Sequence, residues 1–568
     1  MSRQDEAISI APSLENNMDM VAEPATTVVS KRVFFLSLQV IVNAIVIGFV
    51  AKGLVALINL VTNLSFHGTF SFAENSPATN TLGLVVIVVP VIGGLIVGIM
   101  ARLGSSAIRG HGIPEAMEQV LTNESRIKPI ITWLKPLSAA LSIGTGGPFG
   151  AEGPIISTGG AFGSFTGQIM HITPNERKIM LTAGATAGMA AIFGTPIAAV
   201  LLAIELLLFE FSPRSIIPVA LACATGTAMH YLLFSTAPVF HMPAIPAPTW
   251  QDMLWYLGLG VMIGVIAALV SKSVYFIEDM FEHLPIHWMW WPAIGAIAVG
   301  VTGYFAPYTL GVGYENITHL LSGSLPLQMV LGLCFLKFIS WSISLGSGTS
   351  GGTLAPLLTI GGATGVGLGM LVLHLFPQAH INLPTCALIG MAAMFAGAAR
   401  ALLTSIIFAF ECTMQPHGLM PLLAACTASY FVSFFLMKGS IMTEKIQRRG
   451  VPTPDAYEPD VLQALRVENV MEPAKDPAAI QYQTIYVYPE SSLSLAMDIM
   501  GRYGLSQILV VNKENKQEVK GLLTATSIFA AYRKHRMSNL QYQRAISVRR
   551  RGYKLILRGK NLLGGKHE

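Results

Sequence analysis

The chain has 568 residues, of which 52% are hydrophobic and only 12% charged, with a formal net charge of +5 and a mean hydropathy of +0.57. A soluble globular domain carries about 25% charged residues, so that class is excluded and a multi-span membrane protein is expected. No nucleic-acid partner is expected.

From the N-terminus, Met1 to Ser30 is polar and lacks the apolar run of a cleavable signal peptide; residues 1–32 are expected to be a disordered cytosolic tail. Ten apolar segments near the length a bilayer requires, about 20 residues, follow at Phe34–Val61, Leu82–Met100, Ile179–Leu208, Ile216–Phe234, Leu254–Phe276, Trp288–Phe305, Met329–Leu345, Leu357–Leu375, Ala387–Phe410 and Leu419–Met437. Several are broken or flanked by glycine and proline, so more than ten helices are expected.

After the second segment, Gly110-His-Gly-Ile-Pro-Glu115 combines glycines, an early proline and an acidic residue in a first turn, which marks a helix start. Gly144-Thr-Gly-Gly-Pro-Phe-Gly-Ala-Glu-Gly-Pro154 marks another, with Glu152 in its first turn. Glycine there lets backbone N–H groups approach a ligand closely, and the helix dipole adds positive potential, so the arrangement suits an anion. The Glu152 carboxylate can fill such a site itself and leave it when protonated; capping its own helix is the plainer alternative. Charges at membrane depth are mostly functional.

Residues 144–163 recur as 346–365, an offset of 202, with eight of twenty paired positions identical. The same offset aligns Gly188-Met-Ala-Ala-Ile-Phe193 with Gly390-Met-Ala-Ala-Met-Phe395. Such a duplication suggests two half-helix ends meeting at a buried site, and the second copy has Leu354 where the first has Glu152. The letters do not say whether the copies run parallel or inverted. Glu411 is read as a partner for Arg400 or for a helix end. The five cysteines lie in or beside apolar segments without Cys-x-x-Cys spacing and read as packing residues. No metal spacing and no cofactor motif is seen.

Residues 450–483 read as a linker. Beyond it Thr484–Val487 alternates as a strand, Ser491 or Ser492 can cap a helix bearing Leu493, Ala496, Met497 and Met500 on one face, and Ile508–Val511 reads as a buried strand. A polar turn at Lys513–Lys516, a strand at Gly521–Thr524 and a helix from Thr526 complete an α/β module at 484–536. The tail, 537–568, carries Arg549, Arg550, Arg551 and Lys554, which favours a cytosolic C-terminus.

These motifs resemble those of the CLC chloride channels and transporters. Gly110-His-Gly-Ile-Pro114 is similar to GSGIP, Gly150-Ala-Glu-Gly-Pro154 to G(K/R)EGP and Gly352-Thr-Leu-Ala-Pro356 to GxFxP; the Gly-Ala-x-Gly-Ser run at 160–164 agrees, and the C-terminal module resembles one CBS motif. The resemblance covers about residues 33 to 536. It implies an all-α polytopic membrane protein with a CLC-like inverted-repeat fold and broken helices over 33–449, followed by the small α/β module. It implies a homodimer with one anion path per subunit, sited in the cell (inner or plasma) membrane with both termini cytosolic.

By the same resemblance Glu152 takes the place of the gating, proton-accepting glutamate. The amides of Ala151, Glu152, Gly153, Leu354 and Ala355 would line the external and central anion positions, and Gly110 and His111, with Gly112 in the same loop, the internal one. Met442, in Ser440-Ile-Met-Thr443, stands at the position of the family's central tyrosine. The departures are His111 for serine, Leu354 for phenylalanine, Met442 for tyrosine, Leu206 for the inner proton-relay acid beside Glu205, and Ser527 for the ribose-binding aspartate of CBS motifs. The function expected is transmembrane chloride transport, with chloride/proton exchange favoured; the alternatives are a passive chloride channel, a carrier of nitrate or fluoride and, further off, a cation-coupled organic-anion carrier. No enzymatic activity is expected.

Overall fold

A computed structural model describes residues 25–454, 462, 465–473, 485–512, 515 and 518–534, in two units divided at Asp455 and Ala456. The basic tail and most of the Lys513–Lys516 turn lie outside the described residues. The first unit is helical throughout. In chain order its helices are α1 (Ala25–Thr62), α2 (Val88–Leu103), α3 (Ile113–Thr122), α4 (Ile131–Gly144), α5 (Glu152–Ile169), α6 (Pro174–Phe193), α7 (Pro196–Leu202), α8 (Pro213–Leu233) and α9 (Trp250–Glu282). There follow α10 (Trp291–Phe305), α11 (Tyr314–Leu321), α12 (Leu327–Leu331), α13 (Lys337–Gly346), α14 (Leu354–Leu375), α15 (Leu383–Ala399), α16 (Leu402–Thr413), α17 (Leu419–Leu436) and α18 (Glu444–Arg448). Helix α1 begins inside the stretch expected to be a tail.

Among the described residues, seven helical stretches are long and apolar enough to cross a membrane. Two of the longest apolar segments are broken instead. Ile179–Leu208 stops at Gly194, which adopts φ 62° and ends α6 before Pro196 opens α7. Ala387–Phe410 stops at Arg400, with φ 58°, between α15 and α16. A left-handed residue ends a helix because its N–H turns back onto the preceding turn, here Ala190 O and Ala396 O respectively.

The duplication seen in the letters is a duplication of packing. On α5, a Cβ at Gly159 would strike the Gly184 carbonyl of α6 and one at Gly163 the Met180 carbonyl; on α14, Gly361 lies equally close to Gly390 and Gly365 to Cys386 of α15. Small residues allow helix backbones to approach closely where lipid gives no hydrophobic drive for association. Gly150 and Gly352, equivalent under the 202-residue offset, form an antiparallel bridge, Gly150 N–H to Gly352 O at 3.4 Å and Gly352 N–H to Gly150 O at 3.1 Å. Equivalent residues exchanging reciprocal antiparallel bonds are related by a local two-fold rotation, the orientation an inverted repeat requires.

The second unit is a four-stranded sheet in the order β1-β4-β3-β2. β2 (Tyr486–Val487) runs parallel to β3 (Gln507–Val511), joined by helix α19 (Leu493–Tyr503), as a right-sized crossover demands; β3 pairs antiparallel with β4 (Val519–Thr524). Ser492, rather than Ser491, caps α19, accepting from Leu495 N–H at 3.2 Å. Leu493, Ala496 and Met500 are buried against Val487, Ile508, Val510 and Leu523, with Met497 partly buried beside them. The stretch expected to be linker also contributes: β1 (Glu472–Pro473) pairs antiparallel with β4, and Val467 is buried in the same core. Ser527 opens the helix over 525–534, donating to Thr524 O at 2.8 Å while its own N–H is taken by Thr524 Oγ1 at 3.1 Å.

Candidate functional site

Three glycine-rich helix starts converge. Gly110 N–H donates to Thr349 O at 2.9 Å and Gly110 bridges Ser350 in parallel, so the loop before α3 is tied to the loop before α14. The loop before α5 joins them through the Gly150–Gly352 bridge. The approach is too close for any side chain: a Cβ on Gly112 would strike Gly153 O, and one on Gly153 would strike His111 O. Glu152 is buried here at the first turn of α5. The first four N–H groups of a helix have no intrahelical partner; those of Glu152 and Gly153 begin α5, those of Leu354 and Ala355 begin α14, and the loops ahead of the two helices are joined by the Gly150–Gly352 bridge. Oε1 of Glu152 accepts the phenol hydroxyl of Tyr314 at 3.2 Å. Its other oxygen lies where a Cβ on Gly352 would come within 2.9 Å.

The loop before α3 serves differently than the sequence suggests. Glu115 folds back so that its Oε2 takes the Gly112 N–H at 2.6 Å, and the Gly110 N–H is already given to Thr349. Two amides expected at the internal anion position are thus committed to the protein. His111 remains: it is buried, and its Nδ1 has no partner among the described residues. Met442 is buried in the turn 440–443, its N–H donating to Ser440 Oγ at 3.2 Å. The turn is held by Ile441 N–H to Ala398 O at 2.9 Å and by the Tyr275 hydroxyl to Ile441 O at 2.7 Å. Among the described residues, none of its hydrogen bonds reaches the three loops.

Two buried lysines hold the framework. Lys135 Nζ donates to Ile108 O at 2.8 Å and Gly110 O at 2.9 Å; Lys337, 202 residues on, donates to Thr309 O at 3.0 Å and Gly311 O at 2.9 Å. That symmetry exposes a fourth loop which the sequence reading missed. Gly311-Val-Gly-Tyr-Glu-Asn316 repeats Gly110-His-Gly-Ile-Pro-Glu115 at an offset of 201. All four glycines have positive φ, 98° and 100° in the first loop and 65° and 75° in the second. Tyr314 is the counterpart of Ile113.

The acids Glu205 and Glu411 cap helices across the repeat boundary. Glu205 accepts from Leu403 N–H at 2.9 Å, Thr404 N–H at 3.0 Å and the Thr404 hydroxyl at 2.6 Å, at the start of α16. Glu411 accepts from Ile197 N–H at 3.0 Å and Ala198 N–H at 2.9 Å, at the start of α7. Of the two readings of Glu411, the helix end is the one realised; Arg400 instead donates to Met437 O at 2.6 Å and Lys438 O at 3.1 Å. Leu206 is buried.

The model of the voltage gated chloride channel family matches residues 92–434, and that of the CBS domain residues 468–534. The chain therefore belongs to the voltage gated chloride channel, or CLC, family and is a multi-pass membrane protein of the inverted-repeat class. It is similar to the H(+)/Cl(-) exchange transporter ClcA of Yersinia pestis, at 27% identity over 382 residues, covering 64% of this chain and 78% of that protein. The protein of the same name from Yersinia pseudotuberculosis is 27% identical over 376 residues, covering 63% and 77%. Among solved structures, a slow cyanobacterial Cl-/H+ antiporter superposes with a TM-score of 0.64 at 23% identity, covering 72% of this chain and 98% of that one. A CLC-type fluoride/proton antiporter gives 0.58 at 21% identity, covering 72% and 97%. At these identities the two structures establish the fold.

Proposed function

We propose that this protein exchanges chloride for protons across a cell membrane, through a path that the Glu152 side chain closes. The observation that carries the reading is the position of that carboxylate: buried, at the N-terminus of α5, and beside the Gly352 loop that leads into α14. A carboxylate is an anion on a tether, so it competes with chloride for the same amides. Protonation removes the charge for which it competes, and chloride takes its place; deprotonation on the opposite side returns it. One residue thereby links the two fluxes. The similarity to the H(+)/Cl(-) exchange transporters of Yersinia supports the same reading.

In this scheme the amides of Ala151, Glu152, Gly153, Leu354 and Ala355 hold the anion. His111 supplies a ring N–H further along the path, and Met442 an apolar constriction that offers no donor. Transport is assigned to residues 33–449, acting as one half of a homodimer in the inner or plasma membrane with both termini cytosolic; the CBS-like module, 484–536 extended by 465–473, lies on the cytosolic side.

A passive channel is the second reading, and a specific observation favours it. Glu205 is spent on the α16 cap and Leu206 is apolar, so neither offers a proton a resting place on the inner route. Reconstituted vesicles separate the two: exchange predicts proton uptake driven by a chloride gradient, abolished in Glu152→Gln while chloride efflux continues. Chloride efflux without proton uptake in the unaltered protein supports the channel, and proton uptake unchanged in Glu152→Gln overturns the gating role. Repeating the assay with fluoride and nitrate, with and without a pH gradient, fixes the anion.

A further inference from the structure

The hydroxyls that the family places at the central anion position are absent here, replaced by His111 and Met442, yet a phenol touches the gate from an unexpected direction. Tyr314 opens α11 directly after Gly313, whose φ of 75° turns the chain so that the aromatic ring leaves the loop toward α5. Its ring packs against Phe193 and Phe240, with centroids 5.9 Å away in both cases and 6.4 Å from each other; Phe193 in turn packs edge-on against Phe408 at 5.0 Å. Phe193, Phe240 and Phe408 are all buried. A ring packed into a cluster of buried aromatic rings has less freedom to move its hydroxyl than an unpacked one. The Glu152 side chain, by contrast, has three rotatable bonds and a carboxylate that can swing clear.

We propose that Tyr314 is a donor shared between the gate and the transported anion: its hydroxyl holds the Glu152 carboxylate across the path, and binds the anion that replaces the carboxylate when it leaves. The chemistry is the same in both states. A phenol O–H donates to whichever negative group faces it, and hydrogen bonds to a charged acceptor are about twice as strong as neutral ones. Because the ring cannot follow the departing side chain, the hydroxyl then faces the vacated volume together with the α5 and α14 amides. This extends the glutamate-gated reading and rests on it. It gives the second repeat a chemical role in an anion site where its own copy of Glu152 is Leu354.

The test uses Tyr314→Phe, which keeps the ring and its packing, with Glu152→Ala and the double variant, all in the full chain. Removing one hydrogen bond from the closed gate should raise chloride efflux of Tyr314→Phe roughly fivefold over the unaltered protein. In Glu152→Ala the same substitution should give no such rise. Chloride affinity, read by calorimetry on detergent-solubilised protein, should be about fivefold weaker in the double variant than in Glu152→Ala. An efflux rise of equal size in both backgrounds would show that Tyr314 does not act through Glu152 and overturn the proposal. Equal chloride affinities in Glu152→Ala and the double variant would overturn its role as an anion ligand. Failure of the underlying gating reading looks different: Glu152→Gln then retains full proton uptake, whatever Tyr314→Phe does.

Discussion

The two halves of the membrane unit share a skeleton and differ in the groups that do chemistry. Lys135 and Lys337 each tie down two carbonyls of a GxG loop, Glu205 and Glu411 each cap a helix of the other half, and Gly150 and Gly352 bond to one another. Against that symmetry stand Glu152 opposite Leu354, His111 opposite Val312, and Ile113 opposite Tyr314. Backbone geometry is what the duplication preserves, since four helix starts can meet only if both halves bend alike. A site for one anion, however, has an inside and an outside, and identical groups in both halves could not distinguish them. The differences are therefore where function should be sought.

The largest expected effect comes from erasing one difference. Glu152→Leu makes the two α-helix starts alike, and proton uptake in vesicles should fall roughly a hundredfold, the scale of a positioned proton-transfer group; Leu354→Ala, by contrast, should leave proton uptake in place. Next come the shared lysines. Lys135→Met and Lys337→Met each strand two buried carbonyls, at about 1–3 kcal/mol apiece, so both should lower the thermal unfolding temperature of the solubilised protein by similar amounts. A large loss for one and none for the other would break the symmetry of the two halves. The reciprocal caps come third: Glu205→Ala and Glu411→Ala should each destabilise by about 2 kcal/mol, the worth of hydrogen bonds to a charged acceptor. Proton uptake should persist in Glu205→Ala, because its carboxylate is engaged in a cap; its loss there, with folding intact, would return Glu205 to the proton route.

Much of this was legible in the sequence, and the omissions have physical causes. The three helix starts at Gly110, Gly150 and Gly352 carry proline at or near the first helical turn, a local signal that survives without any knowledge of packing. The fourth, at Gly311, has Glu315 where the first has Pro114, and its offset is 201 rather than 202, so neither the motif nor an ungapped comparison finds it. Only the matching pair of lysine contacts does. Glu411 offered two partners on paper because the choice depends on which helix start lies against it, a contact spanning 213 and 214 residues of chain. The amides of Gly110 and Gly112 read as free because their acceptors, Thr349 O and the returning Glu115 carboxylate, are set by tertiary structure and a side-chain rotamer. In the C-terminal module three strands were readable, one from alternation at 484–487 and one from a buried apolar run at 508–511 among them, whereas β1, two residues long, is recognisable only by its pairing with β4.

The smallest expected effect concerns the helix breaks, where the two halves reach the same backbone by different means. Gly194 takes φ 62° with no side chain to strain, and the His230 ring fills the space beside it, with a ring carbon 2.9 Å from where a Cβ would sit. Arg400 takes φ 58° despite its Cβ and uses its guanidinium to bind Met437 O and Lys438 O. A left-handed conformation costs a residue with a Cβ about 1–2 kcal/mol, which those bonds offset. Arg400→Gly and Arg400→Ala lose the same bonds, but only glycine also loses the strain. Arg400→Gly should therefore unfold at a higher temperature than Arg400→Ala, by a margin equivalent to about 1 kcal/mol. Equal unfolding temperatures would mean that the guanidinium contacts, not the backbone angle, set the cost of the break in the second half, and that the two breaks share a shape without sharing its energetics.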